Sequence, residues 1–165
     1  MTTDHPAEAP VPAGRLPAPL LRKAIAADAT VLAAVHTDAR AAGMPWLPRI
    51  HTLEQTRAWF EHVVLPHQHV TVAEADGQVL GFSAVDDGWL EQLYVTPAAQ
   101  GQGVGQTLLR AALNEHPGGL HLHVFARNTR ARALYERAGF VCVETSDGST
   151  NEEHEPDCTY AYPPP

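Results

Sequence analysis

Thr96-Pro97-Ala98-Ala99-Gln100-Gly101-Gln102-Gly103-Val104-Gly105-Gln106-Thr107-Leu108 is a loop poor in large side chains that leads into the first turn of a helix. The residues before it, Trp89-Leu90-Glu91-Gln92-Leu93-Tyr94-Val95, read as a strand, which Thr96-Pro97 ends. Gly101, Gly103 and Gly105 fall at alternate positions and let the main chain come close to a ligand. The first amide hydrogens of the following helix have no internal partner and carry the positive end of its dipole, so this turn is suited to hold a pyrophosphate. Two other phosphate-binding turns are excluded by detail. A P-loop requires Gly-Lys-Ser/Thr, whereas Gly105 is followed by Gln106 and Thr107. The dinucleotide fingerprint GxGxxG requires a glycine at position 106, where glutamine stands. A glycine-rich turn with no ligand remains as the plain alternative.

Upstream, Val70 and Val72 alternate before Asp76-Gly77, and Val79 to Val85 returns to Asp87-Gly88. Both dipeptides favour the positive φ angles of two-residue hairpin turns, which predicts an antiparallel meander ending in the strand at 89–95. Earlier still, Leu20 to Ala24 reads as a short strand, and Asp28 as the cap of a helix that runs to about Ala42 before Gly43 and Pro45. Thr52 and Gln55 have the spacing of a capping box for a second helix, about 53–64, with Trp59, Phe60 and Val63 as its apolar stripe. Downstream, Val104, Leu108, Ala111 and Ala112 mark one side of a helix that Pro117-Gly118-Gly119 stops. Leu120 to Phe125 alternates as a strand; a helix between it and the previous strand is a crossover, which implies a parallel pair. Asn128 caps a further helix with Ala131, Leu134, Tyr135 and Ala138 on its apolar side and Gly139 at its end. Phe140 to Glu144 and Cys158 to Tyr162 are the expected closing strands.

A chain of 165 residues, 44% hydrophobic and 18% charged, supports one domain around a single core. Residues 1–19 hold five prolines and no apolar period, and are expected to be a flexible leader to a domain at 20–162, with 163–165 as a tail. No basic start precedes an apolar run, and no stretch approaches the roughly 18 apolar residues that span a bilayer, so a soluble, cytoplasmic protein is expected. The net charge of -8 argues against general nucleic-acid binding, which needs a cationic surface. Cys142 and Cys158 lack CxxC spacing and read as reduced structural thiols. His67 with His69, and His121 with His123, supply at most half of a zinc site each, and no further ligand is spaced to complete either pair, so no metal is expected.

Gln100, Gly103 and Gly105, preceded by Leu-Tyr-Val-Thr-Pro, match the pattern Q/R-x-x-G-x-G/A, and Asn128, Tyr135, Gly139 and Phe140 match an asparagine, a tyrosine seven residues on and a Gly-Phe pair. On these residues the chain resembles the GCN5-related N-acetyltransferases (GNAT) over about residues 20–162. The resemblance implies an α/β (α+β) fold: a mixed, mostly antiparallel central sheet of six to seven strands, flanked by about four helices, with one splayed parallel strand pair. It implies acetyl-CoA as co-substrate, and direct transfer of the acetyl group to a primary amine in a ternary complex. The pantetheine arm is then expected to enter the splay beside Leu93, Tyr94 and Val95. Gln100, Gly101, Gln102, Gly103, Val104, Gly105 and Gln106 hold the pyrophosphate, and Asn128 and Ala131 face the arm while Asn128 also caps its helix. Among Arg127, Arg130, Arg132 and Arg137, Arg130 is the expected phosphate contact because it lies in the first turn after Asn128.

Tyr135 is the implied general acid for the departing thiolate, with a plain core residue as the alternative. An ammonium has no lone pair, so a base is also needed. Glu91 is the implied one; a period of two places it on one strand face with Trp89, Leu93 and Val95. A carboxylate of ordinary pKa, about 4.3, is a weak base for an amine, so burial or a water relay is required, and a solvent-facing glutamate is the alternative. His123 is a reserve base. The expected partners are acetyl-CoA and an amine acceptor, with no nucleic acid or membrane, in a monomer or homodimer. The acceptor is expected between the loop Met44 to His51 and the segment Asn151 to Asp157, whose acids either draw a cationic amine or form a solvated loop. Two other functions compete: a non-catalytic acyl-CoA-binding module and an interaction protein using the fold as a scaffold.

Overall fold

The computed structural model describes Gly14 and residues 16–163. Most of the leader expected at 1–19, and positions 164 and 165 of the tail, lie outside the described residues. The strands are β1 (Leu20–Lys23), β2 (His69–Ala75), β3 (Gln78–Asp86), β4 (Trp89–Val95), β5 (Leu120–Phe125), β6 (Val141–Ser146) and β7 (Asp157–Tyr162). They form one seven-stranded sheet in the order β1-β2-β3-β4-β5-β7-β6. All neighbours are antiparallel except β4 and β5. The helices are α1 (Ala29–Gly43), α2 (Leu53–Trp59), α3 (Val104–Glu115) and α4 (Thr129–Arg137).

The turn chemistry works as the sequence predicts. Asp76 and Gly77 have φ of 51° and 73°, and Asp87 and Gly88 have 43° and 79°, the paired positive values that carry a right-twisted hairpin. β2 and β3 are buried over most of their length because helices cover both faces. On one face α1 and the end of α2 bury Leu32, Val35, Phe60 and Val64 against Val72 and Phe82. On the other, α3 and α4 bury Leu109 and Tyr135 against Leu90, Leu122 and Tyr160. Cys142 and Cys158 are both free thiols, the first exposed and the second in this core.

Three local expectations are corrected. Asp28 stands before α1 but does not cap it with its side chain. Its carboxylate instead accepts the Ile25 amide at 2.8 Å and two guanidinium hydrogens of Arg22 at 2.8 and 2.9 Å, closing a 3-10 turn at Ala26–Asp28. The Thr52–Gln55 capping box forms at 3.2 and 2.9 Å, yet the helix it starts outlasts the sequence estimate. It passes through a π turn at Phe60–Val64 into a last turn at Leu65–His67.

The third correction bears on the site. Ala84 faces Gln92 and Val85 faces Leu90, so Glu91 is an extra residue bulged out of the β3–β4 ladder. A bulge breaks the period of two: Leu90 and Leu93 pack into the same core cluster although three positions separate them. The regular alternation expected from Trp89 through Glu91 to Leu93 is therefore interrupted at Glu91. Beyond the bulge β4 also leaves β5, for Trp89 with His121 is the parallel pair's registered contact. The splay between the two strands opens from there toward Val95.

Candidate functional site

α3 starts where the backbone needs glycine. Gly101 and Gly103 have φ of 76° and 85°, a region L side chains rarely adopt, and Gly103 is the N-cap residue of α3. A Cβ on Gly103 would meet nothing within 4 Å, so this turn faces open space. The amides of Val104, Gly105 and Gln106 lie in the helix's first turn and have no partner inside it. Gln100 braces the turn: its Nε2 donates to the Val95 carbonyl at 3.1 Å, and its Oε1 accepts from Arg130 Nη1 at 2.8 Å. Arg130, the sequence-predicted phosphate contact, is thus held beside the turn.

A groove of about 430 Å³ runs from this turn into the splay. Leu93, Tyr94 and Val95 form one wall, Gln100, Gly101 and the turn from Gly103 to Gln106 its head, and Asn128, Arg130, Ala131 and Tyr135 the opposite wall. Gln102 is the one member of the expected set that does not line it. Its side chain turns away, accepting the Leu16 amide at 3.0 Å and donating to the Ala98 carbonyl at 3.2 Å. Asn128 caps α4, its Oδ1 accepting the Ala131 amide at 3.2 Å, while its Nδ2 donates to Met44 Sδ at 3.4 Å. Two of the other arginines near this helix are engaged elsewhere: Arg127 lies 4.4 Å from the Trp46 ring centroid, and Arg132 donates to the Tyr160 hydroxyl at 3.0 Å.

A second cavity, about 1040 Å³, lies on the α1 side of the sheet. The two expected acceptor segments both line it, from Met44 to His51 and from Thr150 to Glu153. Their acids are already paired. Glu153 accepts from Arg40 at 2.7 Å, Glu152 meets His51 at 3.1 Å and Glu155 meets Arg127 at 3.4 Å. Asn151 organises the segment from within, donating to the Glu155 carbonyl at 2.7 Å and to Asp157 at 2.9 Å. The segment is a strap pinned to α1, to the α1–α2 loop and to the end of β5. The sequence alone could not pair these acids, because their partners lie 28 to 113 residues away.

Met44, Leu93, Tyr94, Asn128, Ala131 and Tyr135 line both cavities, so the groove and the larger cavity meet at these side chains. Tyr135 is 8% exposed, and burial, with the Tyr94 phenol adding, holds its hydroxyl above the ordinary phenol range. Glu91 is exposed at the wall of the larger cavity, and partial desolvation there raises its carboxyl, with His123 opposing and Asp86 adding. His123 stacks on Trp89 at 4.8 Å between centroids, and its Nδ1 is 3.2 Å from the Thr159 hydroxyl. His36 lies against Tyr94, Phe60 and Trp59, with ring centroids 4.8 to 6.0 Å apart. Burial, then the charges of Arg40 and His51, lower His36 to about 4, so its ring is neutral at neutral pH. His36 and Arg40 escaped the sequence reading because nothing local to α1 distinguishes them from its other polar residues.

Residues 66–142 match the family model described as "Acetyltransferase (GNAT) domain". The chain carries a GNAT acetyltransferase domain. It is 36% identical over 140 residues to the mycothiol acetyltransferase of Jonesia denitrificans, a match that spans 71% of this chain and 41% of that protein. It is 35% identical over 74 residues to the peptidyl-lysine N-acetyltransferase YiaC of Escherichia coli, spanning 44% of this chain and 50% of the relative. The chain thus covers about half the length of these curated relatives. Among solved structures, the ribosomal-protein-alanine N-acetyltransferase of Brucella melitensis superposes with a TM-score of 0.69 at 26% identity, over 86% of this chain and 98% of that one. The splayed β4–β5 pair of this GNAT domain is where the two cavities join.

Proposed function

We propose that this protein transfers an acetyl group from acetyl-CoA to a primary amine within the cell, the groove holding the donor and the larger cavity the acceptor. The observation that carries the reading is their meeting at Tyr94 and Tyr135, which would bring a thioester and an amine together there. The groove suits coenzyme A: unpartnered amides and a tethered Arg130 at its head answer a pyrophosphate, and the open edge of β4 answers the amides of a pantetheine arm. When bound, acetyl-CoA supplies an activated acyl carbon and a thiolate leaving group.

Glu91 takes a proton from the incoming ammonium, directly or through water, so that nitrogen can bond the acyl carbon. Its raised carboxyl makes it a better base than an ordinary glutamate. Tyr135 gives its phenolic proton to the sulfur as the carbon–sulfur bond breaks, and the proton released by nitrogen restores the active site. A buried phenol that stays protonated through neutral pH is suited to that donation. The test is release of free thiol from acetyl-CoA over a panel of amines, amino acids, polyamines and peptides with free amino ends. Turnover with at least one class is the expected result. Binding of acetyl-CoA without turnover across the whole panel would instead favour the non-catalytic module.

A further inference from the structure

Tyr94 presents a second phenol at the meeting point of the two cavities, and its hydroxyl is held differently from that of Tyr135. Arg40 Nη1 lies 3.3 Å from the Tyr94 oxygen, and a guanidinium can only donate, so the phenol oxygen is the acceptor in this contact. The hydrogen of Tyr94 itself is then left over. Among the described residues no side chain or carbonyl accepts it, and the side chain borders both cavities. The ring cannot swing away. It meets His36 edge-on at 4.8 Å and Phe82 at 6.0 Å between centroids, and its backbone is registered opposite Phe82 in the sheet.

Arg40 is fixed in turn. Its Nη2 donates to Glu153 Oε1 at 2.7 Å, with the two side chains only 24% and 16% exposed, so the pair is shielded from the screening that weakens surface ion pairs. A chain of contacts therefore runs from the strap, through α1, to one unspent O–H at the junction.

We propose that Tyr94 donates this hydrogen bond to the acyl oxygen of the bound thioester, with Arg40 and Glu153 as positioning residues that aim it. The assignment rests on the acetyltransferase reading. A donor fixed toward the oxygen on which negative charge builds stabilises the transition state more than the ground state. Tyr135 and Tyr94 then divide the work at the thioester, one serving the sulfur and the other the oxygen.

The test needs no knowledge of the acceptor. Acetyl-CoA labelled with carbon-13 at the carbonyl is bound to the protein and to Tyr94→Phe, and the labelled carbonyl stretch is read by difference infrared spectroscopy beside the dissociation constant. The expected result is similar affinity with the band at lower frequency in the unaltered protein, because a hydrogen bond weakens the carbonyl. Coincident bands would overturn the assignment while leaving the acetyltransferase reading intact; failure of the unaltered protein to bind acetyl-CoA would overturn both. With an acceptor in hand, Tyr94→Phe should lower kcat about a hundredfold, the usual cost of losing one such donor. Arg40→Gln should lower kcat in the unaltered background and do nothing further in Tyr94→Phe, since its effect passes through the phenol. Glu153→Gln, which keeps an acceptor oxygen, should retain more activity than Glu153→Ala. Equal, additive losses from Arg40→Gln in both backgrounds would remove Arg40 from the chain.

Discussion

Tyr135→Phe deletes one oxygen and leaves the ring in its core, so it separates proton donation from packing. It should lower kcat at least about tenfold while changing acetyl-CoA affinity little, because donation to the sulfur matters in the transition state. Steady-state kinetics beside a binding titration checks it, and unchanged turnover would return Tyr135 to a core role. Glu91 is open to a pH test. Its raised carboxyl must be ionised to act, so kcat/KM should fall as pH drops through a value above the ordinary glutamate range of about 4.3. Glu91→Gln should lose roughly a hundredfold and that acid limb together. A limb retained in the variant would point to another base, for which His123 also stands in the cavity wall. At this scale the glycines, Asn128 and Tyr135 were legible from sequence because helix starts and caps are written in local spacing. Arg40 and His36 were not, since their meaning comes from Glu153 and Tyr94, which only folding brings close.

Among elements, α1 and the strap carry two further expectations. His36 is lowered to about 4, below the unfolded value of about 6.5, so below pH 6.5 the unfolded chain binds the extra proton and folding stability rises with pH across that window. The neutral ring's contribution is complete above about 6.5 and is lost as pH falls toward 4, amounting to roughly 3 kcal/mol. Thermal unfolding of the protein and His36→Phe from pH 7 to 4 checks this: the substituted protein should lose less stability over the window. Parallel curves would deny His36 the part. Just before the strap, Gly148 has a φ of 84°, and a Cβ there would run into the Glu155 backbone carbonyl. Gly148→Ala should raise the acceptor KM severalfold through the displaced strap and leave acetyl-CoA affinity unchanged. Element order was readable from turns and caps, since Asp76-Gly77 and Asp87-Gly88 can hardly do anything else. The bulge at Glu91 was not, because a single inserted residue leaves the alternation of Trp89 to Val95 looking regular until its partner strand is known.

For the molecule as a whole, function follows from where the sheet fails to close. β4 and β5 are joined by a crossover helix, and α3's exposed N-terminus faces the gap left by their divergence. The bulge at Glu91 lies on the same strand as Leu93 and Tyr94, so this one strand lines both the groove and the larger cavity. The proposed function depends on coenzyme A seating its pyrophosphate on the turn from Gln100 to Gln106. Calorimetric titration of the protein and of Gly103→Glu with acetyl-CoA tests that most directly, because a Cβ at 103 meets open space and a glutamate there would set a negative charge beside the pyrophosphate. One-to-one binding by the unaltered protein, abolished in the folded variant, is the predicted result. No binding by the protein, or equal affinity in Gly103→Glu, would contradict it.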